Sequence, residues 1–150
     1  MPIQISQPAS DVTIEWPFGF PSSPSTHFTR VDEGEPGNTT DYNRTRGRDK
    51  TEQYGYPADS GATWDTITRV DIIFKVRAQQ LSENPIVEFS LWSGGVQKGD
   101  TLAINTVTAA AWKTFGVTFE PLTLTPAQYD ALQLRMRTTI GAGDEPHFER

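Results

Sequence analysis

Cysteine is absent from this sequence, which excludes disulfides, thiolate metal sites and cysteine nucleophiles together. Histidine occurs only as His27 and His147, near opposite ends of the chain. Two imidazoles are too few for a His-rich zinc site. A Ser–His–acid triad built on either one has no nucleophile elbow to complete it, because "WSGGV" at 92–96 lacks the glycine before the serine. A basic excess is also missing. The 13 Lys and Arg against 19 Asp and Glu give a net charge of −6, the wrong sign for a free nucleic-acid binder. No apolar run approaches the ~20 residues needed to span a bilayer. The start, "MPIQISQPASDV", has neither a basic segment nor an apolar run, so it does not read as a signal peptide. The expectation is a soluble acidic protein made in the cytoplasm, with no cofactor and no nucleic-acid or membrane partner.

What is present is β-periodicity. A chain of 150 residues has the size of one domain and can bury roughly two-thirds of its unfolded surface without covalent staples. In "ITRVDIIFKVRAQ" (67–79), Val70, Ile72, Phe74, Val76 and Ala78 alternate with Arg69, Asp71, Lys75 and Arg77, Ile73 being the one exception. Period two over that length predicts a strand with one buried face. "IVEFSLW" (86–92) sends Val87, Phe89 and Leu91 inward. "KTFGVTFE" (113–120) does the same with Phe115, Val117 and Phe119, and "LQLRMRT" (132–138) with Leu132, Leu134 and Met136. Weaker strand signals lie at 12–16, 28–31 and 101–107. "SENP" (82–85) and "SGGVQKGD" (93–100) read as hairpin or loop connections. In "TPAQYDAL", Thr125 can cap, Pro126 suits the first helical position and Gln128 completes a capping box.

These elements predict an all-β protein: an antiparallel β-sandwich of jelly-roll type with one short helical turn near 125–131. Residues 1–10, with Pro2 and Pro8, read as an extended arm. Residues 11–150 read as a single domain with a long loop at 32–62.

Four stretches occur in an order that resembles small structural proteins of tailed bacteriophages. They are "QPASDVTIEW", "VDEGEPGNTTDY", "YGYPADSGATWDTITRVDIIFKVRAQ" and "LTPAQYDALQLRM". The resemblance covers residues 7 to about 137. Many such proteins carry Trp-Thr at the helical turn, where this chain reads "LTLTPAQY". The resemblance implies a non-enzymatic virion component on the capsid exterior: a decoration (cement) protein, a head fibre or a tail-associated protein. It implies the major capsid protein as partner. Self-association as a homotrimer follows from the threefold positions such proteins often occupy, symmetric assembly being the rule for oligomers.

The densest polar segment is "FTRVDEGEPGNTTDYNRTRGRDKTEQYGY" (28–56). Asp32, Glu33, Glu35 and Asp41 offer oxygens to a hard cation, but their spacing is not that of an EF-hand; the simpler reading is a solvated loop turning at "EPGN". Asn38 and Asn43 match the glycosylation acceptor, a chance match without a secretory signal. Arg44, Arg46, Arg48 and Lys50 alternate, so an extended backbone would put all four on one face. With Asp41, Asp49 and Glu52 beside them, a salt-bridged or partner-docking loop is expected rather than a phosphate site. Tyr42, Tyr54 and Tyr56 suit an interface, each pairing an apolar ring with a wet hydroxyl.

Asp71 and Glu88 are the carboxylates on strand-like segments that glycoside hydrolysis would need as a pair. Each falls on the polar phase of its strand, which favours cross-strand ion pairs instead. Trp16, Trp64, Trp92 and Trp112 suit either sugar stacking or a subunit interface, and Trp92 and Trp112 fall opposite the apolar phase of their strands. The expected partner-contacting residues are Pro2, Ile3 and Ile5 of the arm, the basic stripe, the three tyrosines, and Trp92 with Trp112. The alternative function is a carbohydrate- or receptor-binding β-sandwich of a phage tail or fibre.

Overall fold

A computed structural model of the chain describes residues 8–15, 18–20, 42–44, 49–58, 65–78, 86–104, 113–139 and 148–149. Among them the fold is all-β. The strands are β1 (Ser10–Ile14), β2 (Phe18–Phe20), β3 (Tyr42–Arg44), β4 (Thr51–Gly55), β5 (Val70–Ala78), β6 (Ile86–Ser93), β7 (Val96–Ile104), β8 (Lys113–Phe119), β9 (Leu132–Thr139) and β10 (Phe148–Glu149). One short helix, α1 (Pro126–Asp130), precedes β9. The main sheets are antiparallel, one of five strands in the order β1-β4-β9-β6-β7 and one of three in the order β10-β5-β8; β2 and β3 form a separate pair.

The pairings are nested. β6 pairs with β7, β5 with β8 and β4 with β9, and β3 lies against β10. The described strands from β4 to β9 therefore nest antiparallel about a closed end, the β6–β7 turn. The ribbon is also folded upon itself, because β9 pairs a second time with β6 and β10 with β5. At the closed end Ser93 faces Val96 across Gly94 and Gly95, whose φ values are 58° and 77°. A two-residue type I′ turn needs positive φ at both central positions, which glycine adopts without a Cβ clash. The connection expected over 93–100 is thus only two residues long, and Val96 already begins β7.

Alternation fixes which side chains enter the core. Val87, Phe89 and Leu91 of β6 are 3%, 0% and 0% exposed, and Leu132, Leu134 and Met136 of β9 are buried beside them. From the three-stranded sheet come Phe74, Val117 and Phe119, with Ile72, Val70 and Phe115 half-buried against them. The Phe74 ring lies 4.5 Å from Phe89 on the facing sheet and 5.8 Å from Phe115 on the neighbouring strand. Ile73, out of phase in the sequence, is 59% exposed.

The helix forms as its capping sequence requires. Thr125 Oγ1 accepts from the Gln128 N–H and Gln128 Oε1 accepts from the Thr125 N–H, with Pro126 in the first turn. Tyr129 is buried, and the Ser93 hydroxyl donates to the Gln128 carbonyl, tying the helix to the closed end of the ribbon.

Two expectations are corrected. The segment 32–62 carries β3 and β4, and β4 is an interior strand between β1 and β9. Its burial explains the error. Tyr54 is 1% exposed and Glu52 0% exposed, both on the core-facing phase beside Leu134 and Met136. A glutamate on that phase breaks the apolar alternation that would have announced a strand. The arm also ends earlier than residue 10, since Ser10 opens β1 and the Ala9 N–H donates to the Gly55 carbonyl. The strand expected at 28–31 lies outside the described residues.

Phe89→Ala should lower the unfolding free energy by about 3–5 kcal/mol, read as a fall in the urea midpoint at unchanged slope. Gly99 has φ 71°, and a Cβ there would meet Leu122 Cδ2 at 3.0 Å. Gly99→Ala should therefore cost roughly 1–2 kcal/mol in the same assay, the strain of a left-handed non-glycine residue.

Candidate functional site

The outward face of the five-stranded sheet is set by the same alternation. Residues directly opposite across an antiparallel pair share a face. Three outward rows follow: Gly55, Gln133, Trp92 and Gln97; then Gln53, Arg135 and Ser90; then Thr51, Arg137, Glu88 and Ala103. Between them run the inward rows that carry Tyr54, Leu134 and Leu91, and Glu52, Met136 and Phe89.

Planar polar groups dominate the first two rows. The Trp92 indole N–H donates to Ser90 Oγ at 2.9 Å, which fixes the ring. The Arg135 guanidinium carbon lies 5.5 Å from the Trp92 ring centroid, within cation–π range. Among the described residues Arg135 makes no ion pair. Its Nη2 reaches Thr51 Oγ1 at 3.5 Å, and its Nε is buried without a hydrogen-bond partner. Gln53 Nε2 donates to Gln133 Oε1 at 2.7 Å, leaving Gln53 Oε1 and Gln133 Nε2 unspent. Gln97 braces the irregular part of β7 through Gly99 O and Thr101 Oγ1, at 3.0 and 3.2 Å. In the third row Arg137 is neutralised by Asp49 at 2.9 Å and Glu88 at 3.6 Å.

The outward face of the three-stranded sheet is different. Asp71 accepts from Arg69 Nε at 2.9 Å and from the Thr118 hydroxyl at 2.6 Å, and Arg69 also reaches Glu120 at 3.6 Å. These hydrogen bonds, that from Arg69 first and then that from Thr118, hold the Asp71 carboxyl below the usual aspartate value. A shallow open depression lined by Thr68, Arg69, Glu120 and Pro121 lies beside this cluster.

Asp71 and Glu88, the pair a glycosidase would use, are not brought together. Each is on the outward phase of a different sheet, with the shared core between them. Both are ion-paired, as the polar phase of their strands predicts. Among the described residues no three His, Asp or Glu side chains gather as a metal site, and no helix is long and apolar enough to cross a membrane. Asp32, Glu33, Glu35 and Asp41 lie outside the described residues.

The sequence-predicted contact residues divide. Trp92 is outward, as the phase of its strand predicts, but half-buried rather than exposed. Tyr54 is not at an interface but in the core, and Tyr56 packs half-buried against that core. Asp49 pairs with Arg137 of β9. Lys50 is exposed, while its backbone binds Thr138. Tyr42 and Arg44 fall on β3. Pro2, Ile3, Ile5, Arg46, Arg48 and Trp112 lie outside the described residues. Sequence reasoning passed over Gln53, Gln133 and Arg135, though the polar phase of "LQLRMRT" carried the signal for two of them.

No protein-family profile, no curated protein and no solved structure matches the chain.

Asp71 gives a pH test. A carboxyl whose folded pKa is depressed stabilises the fold above its unfolded value, about 3.9, and loses that contribution as pH falls through the folded value. In an NMR titration of the side-chain carboxyl, Asp71 should have its midpoint below that of an ordinary aspartate. Arg69→Ala should move the midpoint up; an unmoved midpoint removes Arg69 as the cause.

Proposed function

We propose that the two sheets form a jelly-roll sandwich and that the chain is a non-enzymatic virion structural protein of a tailed bacteriophage, a decoration protein that binds the capsid lattice. The nested pairing carries this reading. A jelly roll is a long antiparallel ribbon rolled into two facing sheets, an architecture used by viral capsid and lectin domains. Here β6 with β7, β5 with β8 and β4 with β9 are the rungs of such a ribbon, and β9 with β6 and β10 with β5 are its rolled contacts. Three of the four phage-like stretches carry elements of this frame, and the fourth, 31–42, lies outside the described residues except for Tyr42. "DVTIEW" carries β1, "VDIIFKVRA" is β5, and "TPAQYDALQLRM" spans α1 and most of β9.

The mechanism is mechanical. A partner that binds the assembled lattice but not the free subunits shifts assembly by mass action. The sandwich bridges neighbouring major capsid proteins from the outside as a homotrimer. The N-terminal arm reaches across to the neighbour, and the basic stripe from Arg44 to Lys50 meets an acidic patch. Asp71 and Glu88 take part as ion-paired surface carboxylates, not as an acid–base pair.

Quantitative mass spectrometry of purified particles from the source tests this directly. Copy numbers comparable to the major capsid protein are expected. A few copies per particle assign the chain to a fibre or tail instead, and absence from the particle overturns the virion reading. Deleting residues 1–7 should leave the melting temperature unchanged and weaken binding to undecorated particles; full binding removes the arm from the mechanism.

A further inference from the structure

The outward face of the five-stranded sheet has a chemistry that the virion reading does not use. Its centre is an indole fixed by Ser90, with a guanidinium laid over it and a pair of carboxamides alongside. We propose that this face is a glycan-binding site. Trp92 and Arg135 form its stacking platform, and Gln53 and Gln133 provide its hydrogen-bonding edge. The proposal stands on the face alone and holds whether or not the protein belongs to a particle.

Three observations select a saccharide. The first is planarity. A sugar ring presents a flat C–H face and an equatorial rim of hydroxyls, each a donor and an acceptor. An aromatic or guanidinium plane matches the first, and carboxamides, which hold a donor and an acceptor a fixed distance apart, match the second. Gln53 and Gln133 spend one donor and one acceptor on each other, at 2.7 Å. That bond holds both amides in place and leaves Gln53 Oε1 and Gln133 Nε2 for a ligand.

The second observation is charge. Arg137 is neutralised by Asp49 and Glu88, while among the described residues Arg135 meets no carboxylate. On a chain of net charge −6 that cation is too little for a nucleic-acid backbone. It does suit a neutral sugar, or one bearing a single carboxylate for which the guanidinium fork is shaped.

The third is hydration. A protein partner, the competing occupant, would have to desolvate both amides beneath it. A wet saccharide leaves part of that hydration in place.

The test uses the purified full chain and a panel of free oligosaccharides: cello-, manno- and galacto-oligosaccharides, and oligosaccharides carrying uronic or sialic acid. Binding is followed by NMR on the Trp92 indole N–H and the Gln53 and Gln133 carboxamides. At least one panel member should shift these signals saturably, with a dissociation constant in the millimolar range or tighter. Trp92→Ala and Gln133→Ala should each weaken that sugar by about tenfold or more, the loss of one good contact. Because Trp92→Ala can also loosen the sheet, Gln133→Ala is the deciding variant, and its melting temperature should stay unchanged. If the acidic sugars bind and the neutral ones do not, Arg135→Gln should abolish the preference. No binding across the panel overturns the proposal, as do shifts confined to another face or full affinity in Gln133→Ala. If the same signals respond to purified capsid protein and to no sugar, the face belongs to a protein partner and the glycan assignment fails. That last result leaves the virion reading intact, so the two readings fall separately.

Discussion

Phe89 sits in the middle of the five-stranded sheet, wholly excluded from solvent, with its ring 4.5 Å from Phe74 on the facing sheet. What β6 shows to the outside follows from that placement. Strand side chains alternate, so a register slip of one residue would drive Trp92, Ser90 and Glu88 inward and expel Leu91, Phe89 and Val87. Fully burying such side chains contributes about 1.5–3 kcal/mol each, so the slipped register is strongly disfavoured. The same constraint passes to β9 through the pairs Phe89–Met136 and Leu91–Leu134, and on to β4 through Leu134–Tyr54. The outward row of Gln133, Trp92 and Gln97 is the reverse side of an inward row that cannot move.

The ribbon depends on one further local condition, a reversal tight enough for β7 to return directly alongside β6. Gly94 and Gly95 meet it with two consecutive positive φ angles. Beyond the turn, Leu91 faces Lys98 while Phe89 faces Leu102, so β7 carries extra residues opposite Ser90. Gly99 takes up the irregularity at φ 71° and lies against Leu122 of the core. The inward phase is regained at Leu102 and Ile104, both of which pack on the core. Extra residues on one strand of a pair increase local twist. Their position on the edge strand leaves the two interior pairings, β4 with β9 and β9 with β6, regular, and the other shift in the sheet, between Asp11 and Thr13, lies at the opposite edge.

The sequence was most legible where the period-two pattern was clean. β5, β6, β8 and β9 were readable to within a few residues, because each buries one face and wets the other. The helix was legible because its capping box is a local event that Thr125 and Gln128 complete between themselves. β4 was illegible for a physical reason. "TEQYG" has a glutamate at 52 on its inward phase, and charged side chains in strands are ordinarily solvent-facing. Only tertiary context, with Glu52 and Thr138 both fully enclosed at the core side of the β4–β9 pair, makes that strand interior. The candidate site was half legible. Trp92 could be assigned to the outer face from phase alone. Its partners could not, because Gln53, Gln133 and Arg135 reach it through pairings between strands some forty to eighty residues apart in sequence.

The two outward faces of the molecule differ in what they have left to offer. On the three-stranded sheet Asp71 is saturated by Arg69 and Thr118, and Ile73 projects opposite Gly116. On the five-stranded sheet the acidic groups are also engaged, Glu88 and Asp49 both by Arg137. There, however, the pairing among the described residues leaves a remainder of an indole, a guanidinium without a carboxylate and two half-spent carboxamides. Glycoside hydrolysis by a carboxylate pair needs both groups at one cleft, and Asp71 and Glu88 lie on separate faces. The uncommitted groups are those that recognise a ligand by shape and hydrogen bonding. They are held in position by a sheet whose register the core has already fixed, so a ligand on this face would meet groups whose ordering cost was met during folding.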